Sequence, residues 1–260
     1  MPQIPKFSVQ EVGQWLQRLY IEAAGATLRD EDRRKAVEVA ALLDELSREV
    51  GRIGKAHDLC LVDAASGKSY LGLLAAKLVL EPTGRSARVV CIERTAAFVA
   101  HTHRAVTVLA STIPVACQCA ELKQRDAWPQ SPSIVIGLHA CGNASDEIIA
   151  QSIATSARTV LLVPCCVGAG VARVKDAEAL ADEAGVPRAA PIRRRYIHAL
   201  IESDRLLTLE AAGYQTEAVE FVAPTITPYN TMLRARRVGE ANRMAKARED
   251  LARLWRTRPI

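Results

Sequence analysis

Apolar residues along this chain fall into short continuous runs separated by stretches of helical period. Runs at 59–63, 88–92, 114–118, 133–138, 159–164, 216–222 and 230–236 are short and rich in Val, Ile and Leu, and predict strands. The stretches 69–80, 95–110, 145–157 and 202–212 predict helices. Strands that are apolar throughout and alternate with helices imply a parallel sheet covered on both faces. Only Ala223–Tyr229 joins the last two runs, too short for a parallel crossover, so these two should pair antiparallel. The expected fold class is α/β: a seven-stranded, mostly parallel sheet with its last strand antiparallel and helices on both faces.

Helical spacing also fills residues 1 to about 50. Ser8-Val9-Gln10-Glu11 fits a capping box, and Val12, Trp15, Leu16 and Leu19 follow on one face. A second helix from about Asp30 carries Val37, Val39, Ala40, Leu42, Leu43, Leu46 and Val50, with Gly51 and Gly54 at its end. Three regions result: a helical extension at 1–54, an α/β domain at 55–237 and a basic C-terminal helix at 238–260. The extension could cap an active site or simply pack, and the pattern fits both. Residues 171–196, with Gly185-Val186-Pro187 and Arg193-Arg194-Arg195, fit no regular element and read as a substrate-side insertion.

At 260 residues the chain can bury a sizeable core. No apolar run nears the roughly 20 residues of a membrane span, and Met1–Lys6 lacks a signal-peptide pattern. A cytoplasmic protein without membrane contact is expected. The seven cysteines are an odd count scattered on apolar runs, which suits reduced thiols. Neither Cys117-x-Cys119 nor Cys165-Cys166 has the spacing of a structural zinc site, so no metal is expected. Net charge is +5, and it is unevenly placed. From Arg234 to Ile260, eight Arg and one Lys stand against Glu240, Glu249 and Asp250, a surplus of six positive charges. Such a tail suits an anionic partner such as RNA, or a solvated helix end. Aromatics make up only 4%, with Trp15, Trp128 and Trp255 dispersed, so RNA contacts should rest on phosphate charge through Arg193–Arg195 and the tail rather than on stacking.

In an open parallel sheet a ligand sits beyond the carboxyl ends of the strands, and four segments should converge there. The first run ends in Asp63 and turns through Ala64-Ala65-Ser66-Gly67-Lys68-Ser69. The second ends in Glu93. The third delivers Gly137-Leu138-His139-Ala140-Cys141-Gly142, and the fourth delivers Pro164-Cys165-Cys166. Gly67-Lys68-Ser69 is not a phosphate-binding loop, because the required earlier glycine falls at Val62. A dinucleotide fingerprint has three glycines and this turn has one. His139 is the candidate general base, since imidazole titrates near neutrality; a structural histidine at the sheet edge is the other reading. Cys141, Cys165 and Cys166 read more readily as small buried hydrophobes than as nucleophiles. Asp146 reads as a helix start; orienting His139 is the other reading.

The segment Asp63–Ser69 is similar to the first motif of class I S-adenosylmethionine-dependent methyltransferases, with Ala65 and Ser69 where that family usually has glycine. The resemblance implies a Rossmann-like sheet and S-adenosylmethionine as cofactor. Asp63, Ala65, Ser66, Gly67 and Leu138 would line its site, Glu93 would take the ribose hydroxyls and Glu121 would meet the adenine amino group. Leu138-His139-Ala140-Cys141-Gly142, then Ser145-Asp146 and Cys165-Cys166, resembles one subgroup, over about residues 55–237. That subgroup contains the methyltransferase-like 25 proteins and, more distantly, the tRNA acceptor-stem 2′-O-methyltransferases. Thr227-Pro228-Tyr229-Asn230 fits it as well, whereas Val167-Gly168 replaces the aromatic or His residues expected after Cys-Cys. The implied activity is methyl transfer to RNA, at a 2′-hydroxyl or a base, with Cys141, Asn230, Arg193 and Arg195 on the substrate side. A small-molecule or protein acceptor, and a non-catalytic binding module on the same fold, are the alternatives.

Overall fold

The computed structural model describes residues 7–21, 30–168 and 170–256. Seven strands form one sheet: β1 (Leu59–Ala64), β2 (Ala87–Glu93), β3 (Val115–Cys119), β4 (Ile134–Ala140), β5 (Thr159–Pro164), β6 (Tyr214–Glu220) and β7 (Thr231–Arg237). Their spatial order is β3-β2-β1-β4-β5-β7-β6, with β7 antiparallel to both neighbours and the other pairings parallel. Every residue of β1 and β5 is buried, whereas the edge strands β3 and β6 are largely exposed. A central strand covered on both faces needs an unbroken apolar run, which is why the interior strands stand out in the sequence.

Side chains alternate between two cores, as the strand period of two requires. Leu61, Val89, Ile134 and Leu161 face one core with Leu73 and Leu80; Val62, Val90, Val135 and Leu162 face the other with Ile148, Leu209 and Tyr214. The N-terminal helices α1 (Val9–Leu16) and α2 (Asp30–Arg52) belong to the first core, through Val12, Leu16, Val39, Leu42, Leu43 and Leu46. They are integral packing elements rather than an appendage.

The remaining helices are α3 (Tyr70–Leu74), α4 (Ala96–Leu109), α5 (Ala144–Ala154), α6 (Val174–Glu183), α7 (Ala190–Ala211) and α8 (Ala241–Arg256). The helix expected at 69–80 is α3 followed by wider π-helical turns at Ala75–Leu80. The segment 171–196 is a correction. It is largely helical, with α6 ended by Gly185 at φ +66 and α7 opened by Pro191 in its first turn, so α7 begins twelve residues before the helix expected at 202–212. No helix among the described residues is long and apolar enough to cross a membrane.

One acidic stripe binds α2 to the sheet. Glu38, Glu45 and Glu49 lie at i, i+7 and i+11, one face of a helix, and all three are buried. Arg234 Nη1 donates to Glu45 Oε2 at 2.7 Å, and Arg236 makes two bonds to Glu49, at 2.8 and 2.6 Å. Arg234 also bonds Glu217. Two of the arginines counted in the basic tail are thus neutralised inside the fold. Arg258 and the N-terminal residues Met1–Lys6 lie outside the described residues.

Candidate active site

The carboxyl ends of β1, β2 and β4 open onto a cavity of ≈ 290 Å³, bordered by Ala65, Glu93, Glu121, Leu122, Cys141 and Asn143 among others. The loop after β1 turns sharply. Ala65, Gly67 and Ser69 all take left-handed φ values, +55, +55 and +57. For Ala and Ser this conformation costs roughly 1–2 kcal/mol each. Ser69 is offset by a buried hydroxyl chain: Ser66 Oγ and Ser69 Oγ lie 2.9 Å apart, and Thr102 Oγ1 lies 3.0 Å from Ser69 Oγ. The chain that replaces the usual glycines therefore keeps the conformation glycine would favour.

Glu93 is 8% exposed and borders the cavity. Its Oε2 accepts from Gly67 N–H at 2.9 Å and its Oε1 from Thr95 N–H at 2.8 Å. A carboxylate has about four acceptor sites, so two remain after these bonds lock its orientation. Glu121 follows β3 on the strand end next to Glu93, whose carbonyl accepts from Ala120 N–H at 3.1 Å; the Glu121 N–H donates to Gln124, and Trp128 Nε1 donates to Leu122 carbonyl at 2.8 Å. A firmly oriented carboxylate, a polar turn after β3 and the small Ala65 side chain suit a nucleoside-sized ligand, with Ser66 and Gly67 outside the lining itself.

Asp63 does not border this cavity. Its carboxylate turns inward and accepts from Gly72 N–H at 2.8 Å. Burial pushes its pKa up to about 7, against the pull of the Gly72 N–H, with the Glu93 charge adding to the rise and Lys35 opposing it. Only glycine fits at 72: a Cβ there would lie 2.8 Å from Asp63 Oδ2 and 3.0 Å from Cys91 Sγ. Asp63 therefore anchors the start of α3 beneath the loop. Leu138, half-buried, also lies outside the lining.

His139 sits in an irregularity of the β4–β5 ladder, at φ +57. Its Nε2 lies 2.8 Å from Glu38 Oε1, and Lys35 Nζ lies 3.4 Å from Glu38 Oε2. Burial alone would raise the Glu38 pKa, but the bond to His139 and the Lys35 charge outweigh it and hold the carboxyl below its ordinary value. Burial lowers the Lys35 pKa despite Glu38. Glu38 is thus an ionised acceptor to which Nε2 donates, which leaves Nδ1 as the ring's acceptor whenever the imidazole is neutral. Sequence reasoning missed Glu38. The signal was an acid within the apolar face of α2, legible only together with its partners. Asp146 does not reach His139; it bonds Arg205 Nε at 2.7 Å and the Ala172 N–H at 3.2 Å, tying α5 to α7.

The cysteines correct an expectation. Cys141 and Cys165 form a disulfide instead of remaining reduced. They follow directly on Ala140 and Pro164, the last paired residues of two adjacent parallel strands, so pairing of the strands brings the two together. Cys166 Sγ lies 3.7 Å from Cys165 Sγ. The other cysteines, Cys60, Cys91, Cys117 and Cys119, are free.

Among the expected substrate-side residues, only Cys141 reaches the cavity. Asn230 Nδ2 donates to Val222 carbonyl at 3.1 Å and braces the turn before β7. Arg193 joins α7 to α6 through Asp182 at 2.9 Å and Glu178 carbonyl at 3.0 Å. Arg194 and Arg195 are exposed.

Comparison with solved structures agrees with this architecture. The magnesium protoporphyrin IX methyltransferase of Synechocystis PCC 6803 with bound SAH is 16% identical, with 86% of this chain and 93% of that chain covered at a TM-score of 0.50. The CMeT domain of the citrinin polyketide synthase is 11% identical, covering 80% and 54% of the two chains at a TM-score of 0.52. No curated protein sequence matches. The family model described as a methyltransferase domain matches residues 33–169, just over half of the chain, starting inside α2 and ending beyond Cys166. The chain belongs to this methyltransferase-domain family.

Proposed function

We propose that the chain transfers a methyl group from S-adenosylmethionine to an oxygen or nitrogen of RNA. The observation that carries the cofactor half is Glu93: a buried-edge carboxylate, oriented by two backbone N–H groups, that still offers two acceptor sites to a cavity of nucleoside size. The family match and the SAH bound to the Synechocystis fold relative support the same reading. Ala65, Ser66 and Gly67 would form the cofactor loop and Glu121 would meet the adenine, while Asp63 and Leu138 would act from behind. The sulfonium, when bound, supplies the transferable methyl group.

The chain's own part is alignment and proton handling. In-line displacement needs nucleophile and methyl carbon held close, which is the main source of acceleration. His139, two residues before Cys141 of the lining, would take the acceptor's proton at Nδ1, with Glu38 fixing the ring and stabilising the imidazolium that forms. Support for RNA comes from α7. β7 runs antiparallel, so it starts at the carboxyl edge, just after Tyr229, and His198 of α7 stacks on Tyr229 with ring centroids 6.3 Å apart. This brings the N-terminal half of α7, with Arg194 and Arg195 exposed, toward the edge where an acceptor would lie. Arg193 would hold that helix in place rather than touch RNA.

The test is transfer of labelled methyl to total RNA, protein and metabolite fractions, together with RNA affinity at two salt concentrations. Label in RNA, and an affinity that falls steeply with salt and less steeply in the R194A/R195A variant, is the expected result. Label confined to metabolites or protein would overturn the RNA assignment and keep the methyltransferase.

A further inference from the structure

The cysteines at the ends of β4 and β5 form a cluster that the proposed methyl transfer does not use. Cys141, Cys165 and Cys166 bring three sulfurs within 4.8 Å of one another. Two come from the ends of neighbouring strands, with Cα atoms 5.4 Å apart, and the third is next in sequence. Cys141 and Cys166 are exposed and Cys141 borders the cavity, so the cluster opens toward the reaction edge.

We propose that the reduced trio is a zinc site with three thiolate ligands and one open coordination position. Three soft sulfur donors select a thiophilic d¹⁰ ion and not a hard cation such as magnesium or calcium. Zinc binds thiolates at about 2.3 Å, so the sulfurs of a tetrahedral site stand about 3.8 Å apart. Cys165 and Cys166 already stand 3.7 Å apart. Once the Cys141–Cys165 bond is reduced, Cys141 can take the same spacing. Among the described residues no fourth Cys, His, Asp or Glu joins the cluster, and three protein ligands with an open position is the arrangement of a catalytic rather than a structural zinc. A zinc ion there would take a substrate oxygen or sulfur in its fourth position and ease its deprotonation. The local sequence hides the site, because Cys165-Cys166 has no zinc spacing and the third ligand arrives from another strand.

The chemistry balances with a thiol or phosphine reductant. Two electrons and two protons convert the disulfide to two thiols while the reductant is oxidised, and zinc binding then displaces three thiol protons. Affinity should therefore fall as pH is lowered.

The full chain, reduced with a phosphine under argon, is incubated with zinc, desalted and assayed for metal. One zinc per chain is expected, and cobalt in its place should give the intense visible bands and sulfur-to-metal charge transfer of a tetrahedral thiolate site. Cys141→Ser and Cys166→Ser should each lose the ion with unchanged circular dichroism, and Cys119→Ser should keep it. A reduced protein that retains no zinc, zinc that persists in both Cys141→Ser and Cys166→Ser, or a disulfide that resists the phosphine would overturn the proposal. Metal content is read without cofactor or acceptor, so failure here is distinct from failure of the RNA assignment.

Discussion

The two halves of the sheet are held by different means. On the β1–β3 side, the partners are at most 26 residues apart: Glu93 is oriented by Gly67 and Thr95, and the loop is held by Ser66 and Ser69. On the β4–β7 side, partners come from far away. His139 meets Glu38 across 101 residues, and Arg234 and Arg236 meet Glu45 and Glu49 across 189 and 187. The first half is rigid through backbone hydrogen bonds. The second depends on where α2 is seated.

Four measurements would break or sharpen this contrast, beginning with the largest effect. His139→Ala should lower kcat by about 10²–10⁴-fold, the usual range for a lost general base, and leave cofactor affinity unchanged in a calorimetric titration. Glu38→Gln should reproduce a smaller part of that loss and displace the pH profile, because the ring loses its charged partner. An unaltered kcat in both variants would remove the proton-transfer role from this half.

The second measurement concerns Asp63. Its folded pKa is about 7, above an unfolded value of about 3.9. The neutral carboxyl is the form the folded state favours. Its stabilising contribution is fully present below about pH 4 and is lost as pH rises through about 7, a change of about 4 kcal/mol. Thermal melts should therefore show Asp63→Asn gaining on the parent protein steadily between pH 4 and 7. Parallel profiles would mean that Asp63 is ionised throughout and reaches solvent or a ligand.

Third, Glu93→Ala should weaken S-adenosylmethionine binding by at least about tenfold, since each charge-assisted bond contributes about 1.5–3 kcal/mol. Turnover at saturating cofactor should survive. A fall in kcat with an unchanged Kd would move Glu93 to the catalytic half.

The smallest effect belongs to the loop. Ala65→Gly relieves a left-handed alanine at φ +55, offset in part by the greater entropy of an unfolded glycine. A gain of less than about 1 kcal/mol in denaturant unfolding is expected, with cofactor binding equal or tighter. A clear loss of stability would show that the Ala65 methyl packs usefully against the second core.

The same contrast explains what the sequence disclosed. All seven strands were legible, to within two residues at every end, because the interior ones are covered on both faces and read as unbroken apolar runs. Glu93 was legible because it ends such a run. The segment before residue 202 was not: Gly185 and Pro191 read as loop markers, yet they punctuate two helices. The Glu38–His139 pair escaped, since it joins α2 to β4 across 101 residues of chain; the three cysteines were expected at one sheet edge, but the Cys141–Cys165 disulfide was not. Arg234 and Arg236 read as tail charge because their neutralising glutamates lie in α2, near the other end of the chain. The turn after β1 departs from the family's motif at Ala65 and Ser69, although the backbone there keeps the left-handed path.

The long reach of α2 also bears on synthesis. The helix emerges from the ribosome well before the strand carrying Arg234 and Arg236. Until then Glu45 and Glu49 have no buried partners, and burying them unpaired would cost several kcal/mol. The helix can settle fully only when β7 inserts beside β5. Glu38 lies on the same rigid face, so completion of the sheet and alignment of His139 become one late event. A nascent chain stalled before residue 230 would hold a nearly finished cavity beside Glu93 and a His139 not yet fixed by Glu38.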